Sequence, residues 1–88
     1  MADTNRPTLY IKNGCPYCEE AMEFLDEHGI DYDMKEVLND PRAFEEMRRR
    51  SGQSKAPTLD WHGKVLADFG VEDLPPFLRS QNVKLEDS

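Results

Sequence analysis

At 88 residues, with 38% hydrophobic content, four Phe, three Tyr and one Trp, the chain has material for one small core spanning 1–88 and excludes a second domain. Eighteen acidic residues against 11 basic give a formal charge of −7, which argues against nucleic acid and favours solubility and basic partner proteins. No stretch approaches the roughly 20 apolar residues of a membrane span, and the polar opening Met1 to Pro7 lacks the apolar segment of a secretory signal. A cytoplasmic location away from membranes is the expectation.

In chain order, Thr8-Leu9-Tyr10-Ile11 predicts a short buried strand, rich in β-branched and aromatic residues. A Gly-bearing loop follows, then Cys15-Pro16-Tyr17-Cys18. Cys15 stands where an N-cap would, Pro16 suits the first helical position, and Glu19 and Glu20 suit the first turn. Cys18, Ala21, Met22 and Leu25 fall on one helical face, and His28 with Gly29 closes the helix. Ile30, Tyr32 and Met34 alternate with Asp31, Asp33 and Lys35, the pattern of a half-buried strand.

Asp40-Pro41 predicts a second helix by cap and first-turn logic, with Phe44 and Met47 as its apolar stripe and Gly52 as its end. Arg48, Arg49 and Arg50 read as cations complementing the dipole of that helix in its last turn. After Pro57, the run Thr58 to Trp61, a His62-Gly63 turn and the run Lys64 to Phe69 predict a hairpin. Trp61 reads as amphipathic cover over the sheet. A last short helix is expected from Leu74 to Ser80, since Pro75 and Pro76 suit only its first turn. From Gln81 the tail is polar and expected to fray.

The order is therefore β-α-β-α-β-β-α. The first βαβ unit implies two parallel strands joined by a right-handed crossover, and the terminal hairpin adds two antiparallel strands. The predicted architecture is a four-stranded mixed sheet with helices on both faces, the thioredoxin fold in minimal form.

Cys15 and Cys18 are the only cysteines. In a reducing compartment such a pair is more often redox-active than structural, and a helix N-terminus favours the reactive thiolate. Half of a zinc site is the competing reading, but zinc needs three or four protein ligands. His28 and His62 lie in separate elements without ligand-like spacing, so no metal is expected.

The sequence resembles the glutaredoxins over roughly residues 8 to 80. Lys12-Asn13-Gly14-Cys15-Pro16-Tyr17-Cys18 is similar to the dithiol active site of that family, Ser51 to Pro57 to its segment ending in a cis-proline, and Gly70-Val71-Glu72-Asp73-Leu74 to its glycine-aspartate segment. The resemblance implies the thioredoxin fold and an oxidoreductase that is monomeric, with glutathione as co-substrate, no permanently bound cofactor, and glutathionylated or disulfide-containing proteins as partners. It implies Cys15 as the nucleophile and Cys18 as the resolving thiol. Lys12 and Tyr17 would flank glutathione, Gln53 would contact its glycine carboxylate, and Ala56, before a cis Pro57, would pair with its backbone. Backbone groups of Val71 and Glu72 would bind its other carboxylate, with Asp73 or Glu72 on its ammonium. A second alignment lays Asp68-Phe69-Gly70 over a Gly-Phe-Asp pattern of glutaredoxin-like redoxins. Two other activities thus stay open: an electron donor reduced by thioredoxin reductase, and a dimer holding an iron–sulfur cluster through glutathione.

Overall fold

The computed structural model describes residues 6–83. The chain runs β1 (Thr8–Ile11), α1 (Pro16–Glu27), β2 (Asp33–Glu36), α2 (Pro41–Ser51), β3 (Thr58–Trp61), β4 (Lys64–Ala67), a 3-10 turn (Val71–Asp73) and α3 (Leu74–Ser80). The strands form one sheet in the order β2-β1-β3-β4. β1 pairs parallel with β2 and antiparallel with β3, and β3 pairs antiparallel with β4. This is the predicted architecture, a thioredoxin-like fold with helices on both faces.

Alternation along the central strands explains why both faces are covered. Leu9, Ile11 and Leu59 point into the larger core with Cys18, Ala21 and Leu25 of α1, Phe69, and Leu74 and Leu78 of α3. Tyr10 points the other way, into a smaller core with Val37 and with Ala43 and Met47 of α2. Leu9, Leu25, Leu59, Leu74 and Leu78 are fully buried, each worth about 1.5–3 kcal/mol of burial.

Local chemistry sets the helix ends. Asp40 caps α2 by accepting from the Arg42 and Ala43 N–H groups, and Gly52 ends it in the left-handed region at φ 72°. His28, half-buried at the end of α1, stacks on Phe24 with ring centroids 4.3 Å apart. In the last turn of α2, Arg48 pairs with Glu45 at 3.2 Å, while Arg50 reaches Glu46 and, at 2.7 Å, the buried Asp60 of β3. Asp60 also accepts from the Gly63 N–H at 2.9 Å, so this carboxylate joins the helix, the sheet and the hairpin turn. Beside it, burial and then the Glu46 carboxylate push the Tyr10 phenol up to about 12.

Two expectations need correction. The second strand begins at Asp33, not Ile30, because pairing with β1 starts only where Asp33 donates to the Pro7 carbonyl at 2.8 Å and faces Thr8. Met34, expected to point inward, is 50% exposed. It sits opposite Leu9 on an edge strand, so cover that reaches Leu9 does not reach it. The expected fraying of the tail falls mostly outside the described residues. Inside them, Val83 packs on the larger core and donates to the Leu78 carbonyl at 3.0 Å.

Candidate active site

The two thiols sit at the N-terminus of α1, and a short loop holds them there through its own backbone. After Ile11 the chain leaves the sheet, passes Gly14 at φ 79° and turns back, with the Cys15 N–H donating to the Lys12 carbonyl at 3.2 Å. Cys15 is the N-cap of α1 in extended conformation and Pro16 is its first residue. The Cys18 N–H donates to Cys15 Sγ at 3.4 Å, so one of the orphan donors of the helix end points at that sulfur.

The two sulfurs live in different surroundings. Cys15 is partly exposed and Cys18 buried, and both are free thiols. The Lys12 N–H donates to Cys18 Sγ at 3.4 Å. Burial pushes the Cys18 thiol up to about 12, with the Lys12 N–H pulling the other way and Cys15 adding to the rise. At neutral pH Cys18 is therefore protonated, and the accessible sulfur is Cys15.

Tyr17 is 61% exposed and forms one side of a cleft of about 260 Å³, whose other side is Asp68, Phe69, Gly70 and Glu72. Here the fold brings together residues more than 50 positions apart. Val71, Glu72 and Asp73 form the 3-10 turn that leads into α3. Val71 packs on the core, while Asp73 accepts from the Gly70 N–H at 3.1 Å. The Glu72 side chain folds back over Gly70, where a Cβ would come within 2.9 Å of its carboxylate.

The Ala56–Pro57 peptide is cis. Pro57 is buried, and its carbonyl accepts from the Asp68 N–H at 2.9 Å, which ties this loop to the start of the 3-10 segment. Ala56 packs against both cores. Gln53 turns inward: its amide N donates toward Ser51 Oγ at 2.9 Å, Thr58 Oγ1 at 3.0 Å and the Lys55 carbonyl at 3.2 Å. Its amide O accepts from the Lys55 N–H at 2.7 Å. The Gln53 side chain thus braces the loop that carries Ala56 and Pro57. Lys12 is half-buried and shapes the site through its backbone contacts with both cysteines.

Two residues outside the expected set belong to this region. Asp68 adopts φ 53°, a conformation that glycine takes freely and that Asp tolerates better than most residues. The only sequence signal for it was the second alignment, which placed it under a glycine. Glu36 at the end of β2 accepts from the Asn13 N–H at 2.9 Å, the Leu38 N–H at 3.2 Å, and the Asn39 backbone and side-chain amides at 2.9 Å each. The Asn13 N–H above all holds the Glu36 carboxyl below the usual range. Nothing in the local sequence marks it, since its partner lies 23 residues away. Among the described residues, no three His, Cys, Asp or Glu side chains gather as a metal site, and no helix is long and apolar enough to cross a membrane.

Comparison with known proteins bears on the family and the fold. The glutaredoxin family model matches residues 8–66. A Clostridium pasteurianum protein described as an uncharacterized glutaredoxin-like 8.6 kDa protein in the rubredoxin operon is 30% identical over 66 residues, covering 75% of this chain and 88% of its own. Glutaredoxin 3 of Escherichia coli K12 is 31% identical over 51 residues, 58% of this chain and 61% of the relative. Among solved structures, the thioredoxin-like protein BC3987 superposes with a TM-score of 0.76 at 27% identity, covering 83% of this chain and all of the other. A glutaredoxin from Archaeoglobus fulgidus shares the fold with a TM-score of 0.74 at 21% identity, over 85% of this chain and 87% of that one.

Proposed function

The chain belongs to the glutaredoxin family, and from that premise we propose that it is a thiol–disulfide oxidoreductase that draws its electrons from glutathione. The carrying observation is the asymmetry of the thiol pair: an accessible Cys15 Sγ facing a helix N–H, and a buried Cys18 pushed up to about 12. The Cys15 thiolate attacks the glutathione sulfur of a mixed disulfide. A Cys15–glutathione S–S bond forms, the old S–S bond breaks, and the substrate sulfur leaves as a thiolate that takes a proton from water. A second glutathione thiolate then attacks the bound glutathione sulfur, releasing glutathione disulfide and the Cys15 thiolate. With a protein disulfide, Cys15 becomes joined to the substrate. Cys18 loses its proton and attacks Cys15 Sγ, freeing the reduced protein and leaving the Cys15–Cys18 disulfide.

The remaining assignments follow from the same reading. Tyr17 and Lys12 flank the bound peptide, and Ala56 presents its backbone to it. The turn Val71-Glu72-Asp73 receives the γ-glutamyl end, and Gln53 acts by holding the Ala56 loop. The co-substrate is glutathione and the protein works as a monomer in the cytoplasm. Glutathione-coupled reduction of a small mixed disulfide tests this: the wild type and Cys18→Ser turn over, Cys15→Ser does not. Full activity of Cys15→Ser would sink it.

One observation favours a second reading of the electron source. Asp68 holds a glycine-like φ of 53° and Phe69 is 4% exposed, which suits the Gly-Phe-Asp alignment of glutaredoxin-like redoxins. In that reading thioredoxin reductase, not glutathione, reduces the Cys15–Cys18 disulfide. Reducing the oxidised protein with each system in turn separates them: fast reduction by the reductase with none by glutathione replaces the first reading with the second.

A further inference from the structure

We propose that Glu36 is a positioning residue for Cys15, acting as a side-chain rung that extends the sheet beneath the thiol loop; this rests on Cys15 being the reactive sulfur. The parallel pairing of β1 and β2 ends at Ile11 opposite Glu36, with the Val37 N–H on the Ile11 carbonyl at 2.9 Å. Beyond that point the strand pairing ends. The Glu36 carboxylate continues the contact, with Oε2 on the Asn13 N–H at 2.9 Å.

The same carboxylate is itself held still. Its Oε2 also accepts from the Leu38 N–H, and its Oε1 accepts twice from Asn39, so four donors fix one side chain. Asn13 is therefore anchored to the loop between β2 and α2. It stands between Lys12, whose N–H grips Cys18 Sγ, and Gly14, which precedes Cys15. Without the anchor, the loop from Lys12 to Cys15 keeps only its own short-range bonds. Cys15 Sγ then spends less time against the Cys18 N–H that donates to it.

The sign of the effect separates positioning from charge. An anion near a thiolate disfavours it, so a Glu36 acting only through its charge would slow Cys15, and its removal would speed Cys15 up. A positioning role predicts the reverse. Alkylation of Cys15 in the reduced full chain by iodoacetamide, at fixed pH and with the modified site assigned by mass spectrometry, reads this directly. Glu36→Ala is expected to slow alkylation about fivefold, within the size of a charge-assisted hydrogen bond. Glu36→Gln, which loses the charge but keeps one accepting oxygen, is expected to fall between Glu36→Ala and the wild type. A folded Glu36→Ala that reacts at the wild-type rate or faster overturns the proposal, even if its melting temperature drops. If Glu36→Ala does not fold, Glu36→Gln decides by the same criterion. Because no glutathione enters the measurement, absent turnover in the coupled assay counts against glutathione as the electron source and leaves this test standing.

Discussion

The two walls of the cleft are built in opposite ways. The thiol segment, Lys12 to Cys18, is held mostly by bonds that span three to six residues, with one long-range bond from the Asn13 N–H to Glu36. The facing wall, Asp68, Phe69, Gly70 and Glu72, comes opposite Tyr17 because Phe69 and Leu74 are buried in the same core as Cys18 and Leu25. The chemistry therefore rests on the first wall, which short-range geometry mostly specifies. The placement of the second depends on core packing. Both share the larger core, in which Cys18 and Phe69 are buried together.

The largest expected effect tests the first wall alone. Cys15→Ser should abolish thiol–disulfide exchange, since a hydroxyl at that position is not the nucleophile a thiolate is. Cys18→Ser should keep the one-thiol step and lose reduction of protein disulfides. Rates on a mixed disulfide and on a protein disulfide, measured side by side, would break the assignment if both variants failed on both substrates.

Phe69→Ala strikes the facing wall. A cavity at this buried ring should cost about 3–5 kcal/mol in urea unfolding. Where the variant stays folded, KM should rise more than kcat falls. A kcat loss with KM unchanged would mean the two walls are not separable as described.

The alkaline limb of stability distinguishes the two sulfurs. Cys18 is raised from 9.0 to about 12 and Tyr10 from 10.0 to about 12. Each therefore holds its proton more tightly folded than unfolded, and their contribution is complete below pH 9 and lost as pH rises toward 12. Melting temperatures of the reduced protein should fall over that window. The oxidised protein, in which Cys18 no longer titrates, should fall less, with the Tyr10 part remaining. Equal losses in both forms would place the alkaline effect elsewhere.

Asp68→Gly carries the smallest effect. Relief of the left-handed backbone should stabilise by about 0.5 kcal/mol, seen as a small rise in melting temperature. Removing this carboxylate from the cleft should also lower KM for the anionic tripeptide glutathione. A drop in stability would show that the Asp68 side chain makes up for its backbone conformation.

Much of this was legible before the fold. The Cys15 cap, Pro16 in the first turn, the Asp40-Pro41 start and the Gly52 stop follow from requirements within one helical turn, and the hairpin follows from two short apolar runs around His62-Gly63. The second strand starts three residues later than alternation from Ile30 predicts, because pairing starts where β1 supplies partners. Gln53 was expected to contact the glycine carboxylate of glutathione; its amide braces its own loop. The role of an amide is set by whichever donors and acceptors lie within about 3 Å, which pattern cannot reveal.

The sequence by itself determined the element order, the family and the pair of sulfurs at a helix start, because those depend on periodicity, caps and contiguous residues. Tertiary structure alone decided the grip of Glu36 on Asn13 and the inward turn of the Gln53 amide. It also decided the arrival of Tyr17 opposite Glu72. Each of these needs partners at hydrogen-bond or packing distance, and only the folded core brings them there.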